Sequence, residues 1–349
     1  MTLKIAFLTY EYSGNRIIGY SREWKYGSGR YAEAIISSLK QLNVDVEVFS
    51  VGTGIKTIGP PLFWIRNGLR SFEKFDVVHS NEAAGIFTRH PRRVEFFHHP
   101  HWHHPNIRNW TTTAFHLFSA RNANVIVVPS FYTKSAIQSR LSGSVPIEVI
   151  HHGVDKQVFY QSGDIREKTR LELNIENQFV VISVGRLESH KRHIDIIKSL
   201  SGIPNIALIL VGRGPLKTHL IEAAKKLNVQ LLLFDYVTDN YLRALYNASD
   251  VYVHSSILEG FGLTILEAMS CGVPIIAVNT ADIKHVVGTA GYVIDAQKAG
   301  LIKFYLNDLS TDDKKRRMLS QIALTKSASF DWIAAAKKQI KIYEKILNE

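Results

Sequence analysis

Short apolar runs alternate with amphipathic stretches along the whole chain, and no other feature constrains the fold as strongly. Runs at Lys4–Tyr10, Val44–Val51, Val77–His79, Val94–Phe97, Val125–Pro129 and Glu148–His151 read as strands, with helical patterns between them such as Gly29–Gln41 and Tyr132–Arg140. The stretch from Gly153 to about Glu176 is polar and turn-rich and reads as a junction. A second series follows: Phe179–Val184, Ala207–Gly212, Gln230–Phe234, Asp250–His254 and Pro274–Val278, separated by helical patterns including His193–Leu200, Leu216–Leu227 and Tyr241–Ala248. Strands alternating with helices mean βαβ units and parallel sheets. At 349 residues the chain exceeds the size at which a single core keeps growing. The expectation is therefore an α/β protein with two doubly wound, Rossmann-like domains facing across a cleft. Residues 1–160 form the first and 161–330 the second, and 331–349 form a terminal amphipathic helix packed on the body.

Composition narrows the class. One cysteine, Cys271, excludes an internal disulfide framework and suits a reducing compartment. The opening "MTLKIAFLTYEY" has a strand pattern rather than that of an apolar leader, and no stretch approaches about 18 uninterrupted apolar residues. A cytoplasmic protein is expected. The net charge of +11 is uneven: residues 1–160 carry 18 Lys and Arg against 11 Asp and Glu, and ten of the 15 histidines. Such a half fits an anionic partner, whether a phosphate-bearing substrate, an acidic lipid surface or nucleic acid. No basic recognition helix or stacking motif favours nucleic acid, so none is expected as a partner.

In doubly wound sheets ligands bind beyond the carboxyl ends of strands. There the stretch "ILEGFGLTILEAMSCGVPIIAV", Ile257–Val278, places Glu259 in a loop with Gly260 and Gly262, and Glu267 on the helix that follows. The glycines let backbone approach a ligand, and the helix N-terminus offers free N–H groups to a phosphate or sugar hydroxyl. Two acids meeting different parts of one extended ligand explain the spacing better than a glycosidase pair flanking one bond. The alternative is that Glu259 caps the helix and Glu267 is solvated.

"SVGRLESHKR", Ser183–Arg192, puts Arg186 and Lys191 in one loop after a buried strand. Two cations there are costly without an anion, and a diphosphate answers that need; the alternative is a solvated charged loop. "KYGSGRYAEAI" sets Gly27 and Gly29 before a helix, equally a phosphate-approach loop or a plain turn. The connection Glu11–Ser28 is long for a strand–helix loop. "EFFHHPHWHHP" follows a strand with five histidines, of which His98 comes first and can reach a polar substrate. No ligand set at a recognised zinc spacing accompanies them, so no metal is expected. Pro60–Phe75 sets Leu62, Phe63, Trp64, Ile65, Leu69 and Phe72 among Arg66, Arg70 and Lys74, either for an anionic bilayer or as an ordinary packing helix.

Taken together, the glycine loop near Gly27, His98, "VIHHGVD", "GRLESHK" and "LRALYNASDVYVHSSILEGFGLTILEAMSCGVPIIA" resemble the retaining glycosyltransferases of family 4, with their GT-B architecture and E-x7-E signature. The resemblance runs in order through most of the chain, and the tail resembles the family's terminal helix, which crosses back to the first domain. It implies a retaining, metal-independent transfer of a sugar from a nucleotide diphosphate donor, UDP- or GDP-linked, with no cofactor. Implied roles follow. Arg186 and Lys191 stabilise the leaving diphosphate, and Glu259 with the backbone around Gly260, Phe261, Gly262 and Leu263 holds the sugar. Glu267 accepts from the ribose hydroxyls, His98 meets the sugar, and Gly27 and Val237 complete the donor contacts. The chain departs from the family pattern at Tyr26 before Gly27, at His98-His99, and at Thr280-Ala281. The acceptor is left open between a lipid-linked molecule, with a membrane contact on the cytoplasmic face, and a soluble one. An idle nucleotide- or nucleic-acid-binding protein and a nucleotide-sugar epimerase are the rival classes.

Overall fold

The computed structural model describes residues 2–10, 27–50, 59–99, 107–141, 143, 145–295, 297–298 and 300–349. Most of the Glu11–Ser28 connection, with Tyr26, and also His101, His103 and His104 lie outside the described residues. The chain divides into two units, Met1–His152 with Asp331–Glu349, and Gly153–Phe330.

The first unit contains, in chain order, β1 (Lys4–Thr9), α1 (Gly27–Gln41), β2 (Asp45–Ser50), α2 (Gly59–Gly68), β3 (Val77–Asn81), β4 (Arg93–Phe96), α3 (Ile107–Arg121), β5 (Val125–Val128), α4 (Phe131–Gln138) and β6 (Ile147–Val149). Its sheet order is β2-β1-β3-β4-β5-β6, with every pairing parallel. Strands such as β3 and β5 are buried along their whole length, as expected where helices cover both faces of a parallel sheet. Ser130 caps α4 by accepting from Thr133 N.

The second unit contains α5 (Gly163–Glu172), β7 (Phe179–Val184), α6 (His193–Leu200), β8 (Ile206–Val211), α7 (Lys217–Lys226), β9 (Gln230–Phe234), α8 (Asp239–Ala248), β10 (Val251–His254), α9 (Leu263–Ser270), β11 (Ile275–Val278), α10 (Ile283–Val287), β12 (Gly291–Ile294), α11 (Gly300–Thr311) and α12 (Asp313–Ser327). Its order is β12-β11-β10-β7-β8-β9, again parallel throughout. Two doubly wound α/β units are thus present, the strand content of the GT-B architecture. The last helix, α13 (Trp332–Asn348), belongs to the first unit and packs on α1, with Asp331 capping it.

Two expectations need correction. The supposedly irregular stretch Gly153–Glu176 holds α5, whose N-cap Ser162 accepts from Ile165 N. Its helical signal is hidden because two arginines, not aliphatics, supply part of the inner face. Arg166 and Arg170 reach Asp250 at 2.5 and 3.3 Å, and Arg170 Nη1 donates to Ala248 O at 2.8 Å. Pro60–Phe75 is not one amphipathic segment: α2 ends at Gly68, and Phe63, Phe72 and Phe75 are core residues. Trp64 is half-buried and donates to Tyr10 OH at 2.6 Å, while Lys74 is paired with Glu47 at 2.7 Å. Of that stretch's apolar and basic side chains among the described residues, Ile65, Arg66, Leu69 and Lys74 are exposed, and Trp64 and Arg70 are half-buried.

Candidate active site

In the second sheet the connections run one way from β7 and the other way from β10, and these two strands are neighbours. A loop leaving each therefore diverges from the other and opens a site at the strand ends. The β7 loop turns through Arg186 and a single 3-10 turn, Ser189–Lys191, before α6. The β10 loop runs from Ser255 to Gly262. Two hydrogen bonds tie them together: Ser255 Oγ donates to Lys191 O at 2.6 Å, and Ile257 N donates to His190 O at 3.0 Å.

Across this junction Lys191 Nζ meets Glu259 Oε1, and His254 Nε2 lies 3.4 Å from the same oxygen. Burial alone would raise the Glu259 pKa, but Lys191 and His254 outweigh it and hold the carboxyl at about 2. Burial likewise depresses His254, to about 4, with Glu259 opposing and Lys191 reinforcing. Burial and then Lys191 depress His193 to about 3; its Nε2 lies 3.3 Å from Arg186 O. At neutral pH the pocket wall thus holds an ionised carboxylate against an ammonium, with neutral imidazoles behind.

Arg186, half exposed, has Nη2 at 2.9 Å from Glu188 Oε2, and His190 Nδ1 lies 3.4 Å from that oxygen. Contrary to expectation, the two cations need no ligand anion to be held here, because Glu188 and Glu259 of the chain itself balance them. Glu267 is not the solvated residue of the alternative reading. It is buried on α9, with Tyr246 OH 3.1 Å from its Oε2. Nor does Glu259 cap α9. Gly262 holds the N-cap position with a φ of 95°, and no side-chain cap bond is made there. A Cβ at Gly262 would come within 2.9 Å of Ile283 Cδ1. Phe261 turns its ring into the core against Phe330, so that its backbone is what it presents. Val237 packs partly buried against the same core, beside the Thr238 cap of α8.

Sequence reasoning missed "GRG", Gly212–Gly214, in the β8 loop. A Cβ at Gly212 would lie 1.9 Å from Gly185 O, and one at Gly214 would lie 2.3 Å from Leu187 O. Only glycine lets this loop run against the one that carries Arg186. Spaced glycines directly after a buried strand were the available signal.

In the first unit His98 follows β4 and is buried. Its backbone N donates to Glu82 Oε1 at 2.6 Å. Asn81 Nδ2 donates to Thr9 Oγ1 at 3.1 Å, which turns Oδ1 toward His98 Nε2 at 3.0 Å. The ring then donates from Nε2 to Asn81 Oδ1. Tyr31, on the helix that Gly27 opens, packs edge-on to His98 at 5.0 Å, and His152 lies 5.6 Å away. Asn81 and Glu82 had no sequence signal, because only pairing of β3 with β1 and β4 brings them to this strand end. Among the described residues, no group of three or more His, Cys, Asp or Glu side chains is placed to hold a metal.

The model of the glycosyl transferases group 1 matches residues 165–326, and that of glycosyltransferase family 4 matches residues 53–158. The two glycosyltransferase models thus match one after the other along most of the chain. The chain is similar to the O-antigen chain mannosyltransferase B of Escherichia coli, 38% identical over 31% of this chain and 29% of that one. It also resembles the GDP-mannose-dependent alpha-(1-6)-phosphatidylinositol monomannoside mannosyltransferase of Mycolicibacterium smegmatis, 28% identical over 56% of this chain and 55% of the relative. It thus spans about half or less of these curated relatives' length. In fold it is similar to Anabaena Alr3699/HepE, solved with UDP and glucose, at a TM-score of 0.78, 21% identity, and coverage of 97% and 98% of the two chains.

Proposed function

We propose that this chain transfers a sugar from a nucleotide diphosphate donor to an acceptor hydroxyl with retention of configuration and without a metal. The observation that carries the reading is the junction of the β7 and β10 loops, which gathers Arg186, Lys191 and Glu259 at the switch point, with the α9 N-terminus beside them. A donor diphosphate entering there competes with Glu188 for Arg186 and with Glu259 for Lys191. As the bond from the anomeric carbon to the phosphate oxygen breaks, its electron pair stays on the diphosphate. The guanidinium and ammonium then stabilise the growing charge. The acceptor oxygen bonds to the anomeric carbon, and its proton passes to the departing phosphate. Glu259, released from Lys191, accepts from sugar hydroxyls together with the backbone of Gly260–Leu263. Glu267 takes the ribose hydroxyls, and His98 meets the sugar. Gly27 and Val237 are assigned to donor contacts on the resemblance alone.

The test is a thermal-shift comparison of UDP- and GDP-linked sugars. A donor at about 100 times its Kd stabilises by about 2.7 kcal/mol, so the right one raises Tm by several degrees. No shift with any nucleotide sugar would sink the reading. Because the two side-chain cations are given the electrophile's role, turnover should survive excess EDTA; loss of activity that a divalent ion restores would overturn the metal-free mechanism. Among acceptors, a lipid-linked one is favoured. One similar protein is by its name a phosphatidylinositol mannoside mannosyltransferase, and residues 1–160 are strongly basic. No helix among the described residues is long and apolar enough to cross a membrane, so such an acceptor would be met at a surface.

A further inference from the structure

We propose that the face built by α2, the loop after β3 and α3 docks on an anionic lipid surface. Five large apolar side chains stand out to solvent there: Ile65 (52% exposed), Leu69 (84%), Phe87 (44%), Phe115 (39%) and Phe118 (50%). They form one patch. Trp64 underlies it, with its ring 6.4 Å from Phe87 and 5.0 Å from Phe115. A Cβ at Gly68 would lie 2.9 Å from Phe87 Cβ, so α2 lies directly on that loop. Single exposed apolar residues are ordinary, but a contiguous group of this size marks an interaction surface.

Charge identifies the occupant. Arg66 and Arg89 are exposed beside the patch, Arg121 is exposed one turn beyond Phe118, and Arg70 is half-buried. The sequence carries no acidic residue between Glu47 and Glu73 or between Glu95 and Glu148. Glu82 and Glu95, which flank the Phe87 loop, are both buried. An apolar centre with a rim of one sign of charge is the pattern of an interfacial site: the rim is drawn to anionic headgroups and the centre enters the acyl boundary. The inference rests on the transferase reading only for its purpose, delivery of a lipid-bearing acceptor; the docking itself does not depend on it.

Flotation of the full chain with phosphatidylcholine vesicles, with and without phosphatidylglycerol, tests the proposal. The chain should bind the phosphatidylglycerol vesicles at low salt and release as salt rises. Changing Arg66, Arg89 and Arg121 to Ser should lower partitioning about fivefold per charge. Phe115→Ser with Phe118→Ser should lower it roughly tenfold per ring while leaving a salt-dependent remainder. Phe304→Ser, 62% exposed on α11 of the second unit, should change nothing. No binding to phosphatidylglycerol vesicles at low salt overturns the proposal, as does binding that ignores both sets of changes. So does a dimer in sedimentation that the phenylalanine variant makes monomeric, since the face would then serve a second copy. A donor-induced thermal shift that persists without vesicle binding would sink the docking and leave the transferase reading standing; the reverse would do the opposite.

Discussion

Lys191 and Arg186 share a loop and a sign of charge, yet their surroundings predict different consequences of removing them. Lys191→Ala strands Glu259 among partly buried groups without its ammonium partner, so the variant should lose both turnover and thermal stability. Arg186→Ala leaves Glu188 nearer to water and should keep its Tm. Both should lose about 10²-fold or more in kcat, the cost of one preorganised donor to a charge that grows in the transition state. Steady-state kinetics at saturating donor beside melting curves separates the two effects. Near-normal kcat in either variant would remove that residue from the mechanism.

The elements are held in place by a few contacts that no periodicity encodes. The β8 loop lies against the β7 loop because Gly212 and Gly214 carry no Cβ. Gly212→Ala must move backbone rather than a flexible side chain, and a loss of about 2 kcal/mol or more is expected, read as a lower urea midpoint with unchanged slope. A melt within error of the wild type would mean that the loops separate freely. At the other end of the chain, α13 is joined to the first sheet by Tyr343 OH, 2.8 Å from His79 Nδ1. His79 is fully buried, and its Nε2 has no hydrogen-bond partner among the described residues. Tyr343→Phe would leave the imidazole without its hydroxyl partner, at a cost of about 1–2 kcal/mol. Faster amide exchange confined to α13 and α1 is the expected signature, and uniform protection across the first unit would argue against it.

At the scale of the molecule, the two units should respond differently to acid. In the second, His193, His254 and Glu259 all have folded pKa values below their ordinary 6.5 and 4.5, at about 3, 4 and 2. Each binds its proton more readily when unfolded. Stability is therefore lost from pH 6.5 downward through the histidines, and further below 4.5 through Glu259. The first unit also loses through His79, depressed by burial to about 3, and through His152, which burial holds well below 6.5. It gains through Glu95, which accepts from Ala83 N and Ser119 Oγ at 2.7 and 2.6 Å but is raised by burial to about 7. Glu95 is protonated first in the folded state, so between pH 7 and 4.5 it offsets part of the histidine loss. All five tryptophans fall in the first unit. Acid titration should then show far-UV ellipticity falling at a higher pH than tryptophan fluorescence changes. Coincident transitions would falsify the assignment of the acid-labile groups to the second unit.

The alternation of period determined the two parallel sheets and most strand positions, because a strand buried on both faces must be apolar throughout and needs no partner to be recognised. It also placed the loops of Arg186, Lys191 and Glu259 at strand ends, since order along the chain fixes which loop follows which strand. It could not show α5, whose inner face is arginine satisfied by Asp250 and carbonyls far along the chain, nor the short β12. It could not tell the inward Phe63 and Phe72 from the outward Ile65 and Leu69, because α2 lies against a core made by other segments. The pairing of Lys191 with Glu259, the Asn81–His98 contact and the close approach at Gly212 each join residues from different strands of a sheet. Strand order is a tertiary property, set by how helices cover the sheet, and only the folded chain decided it.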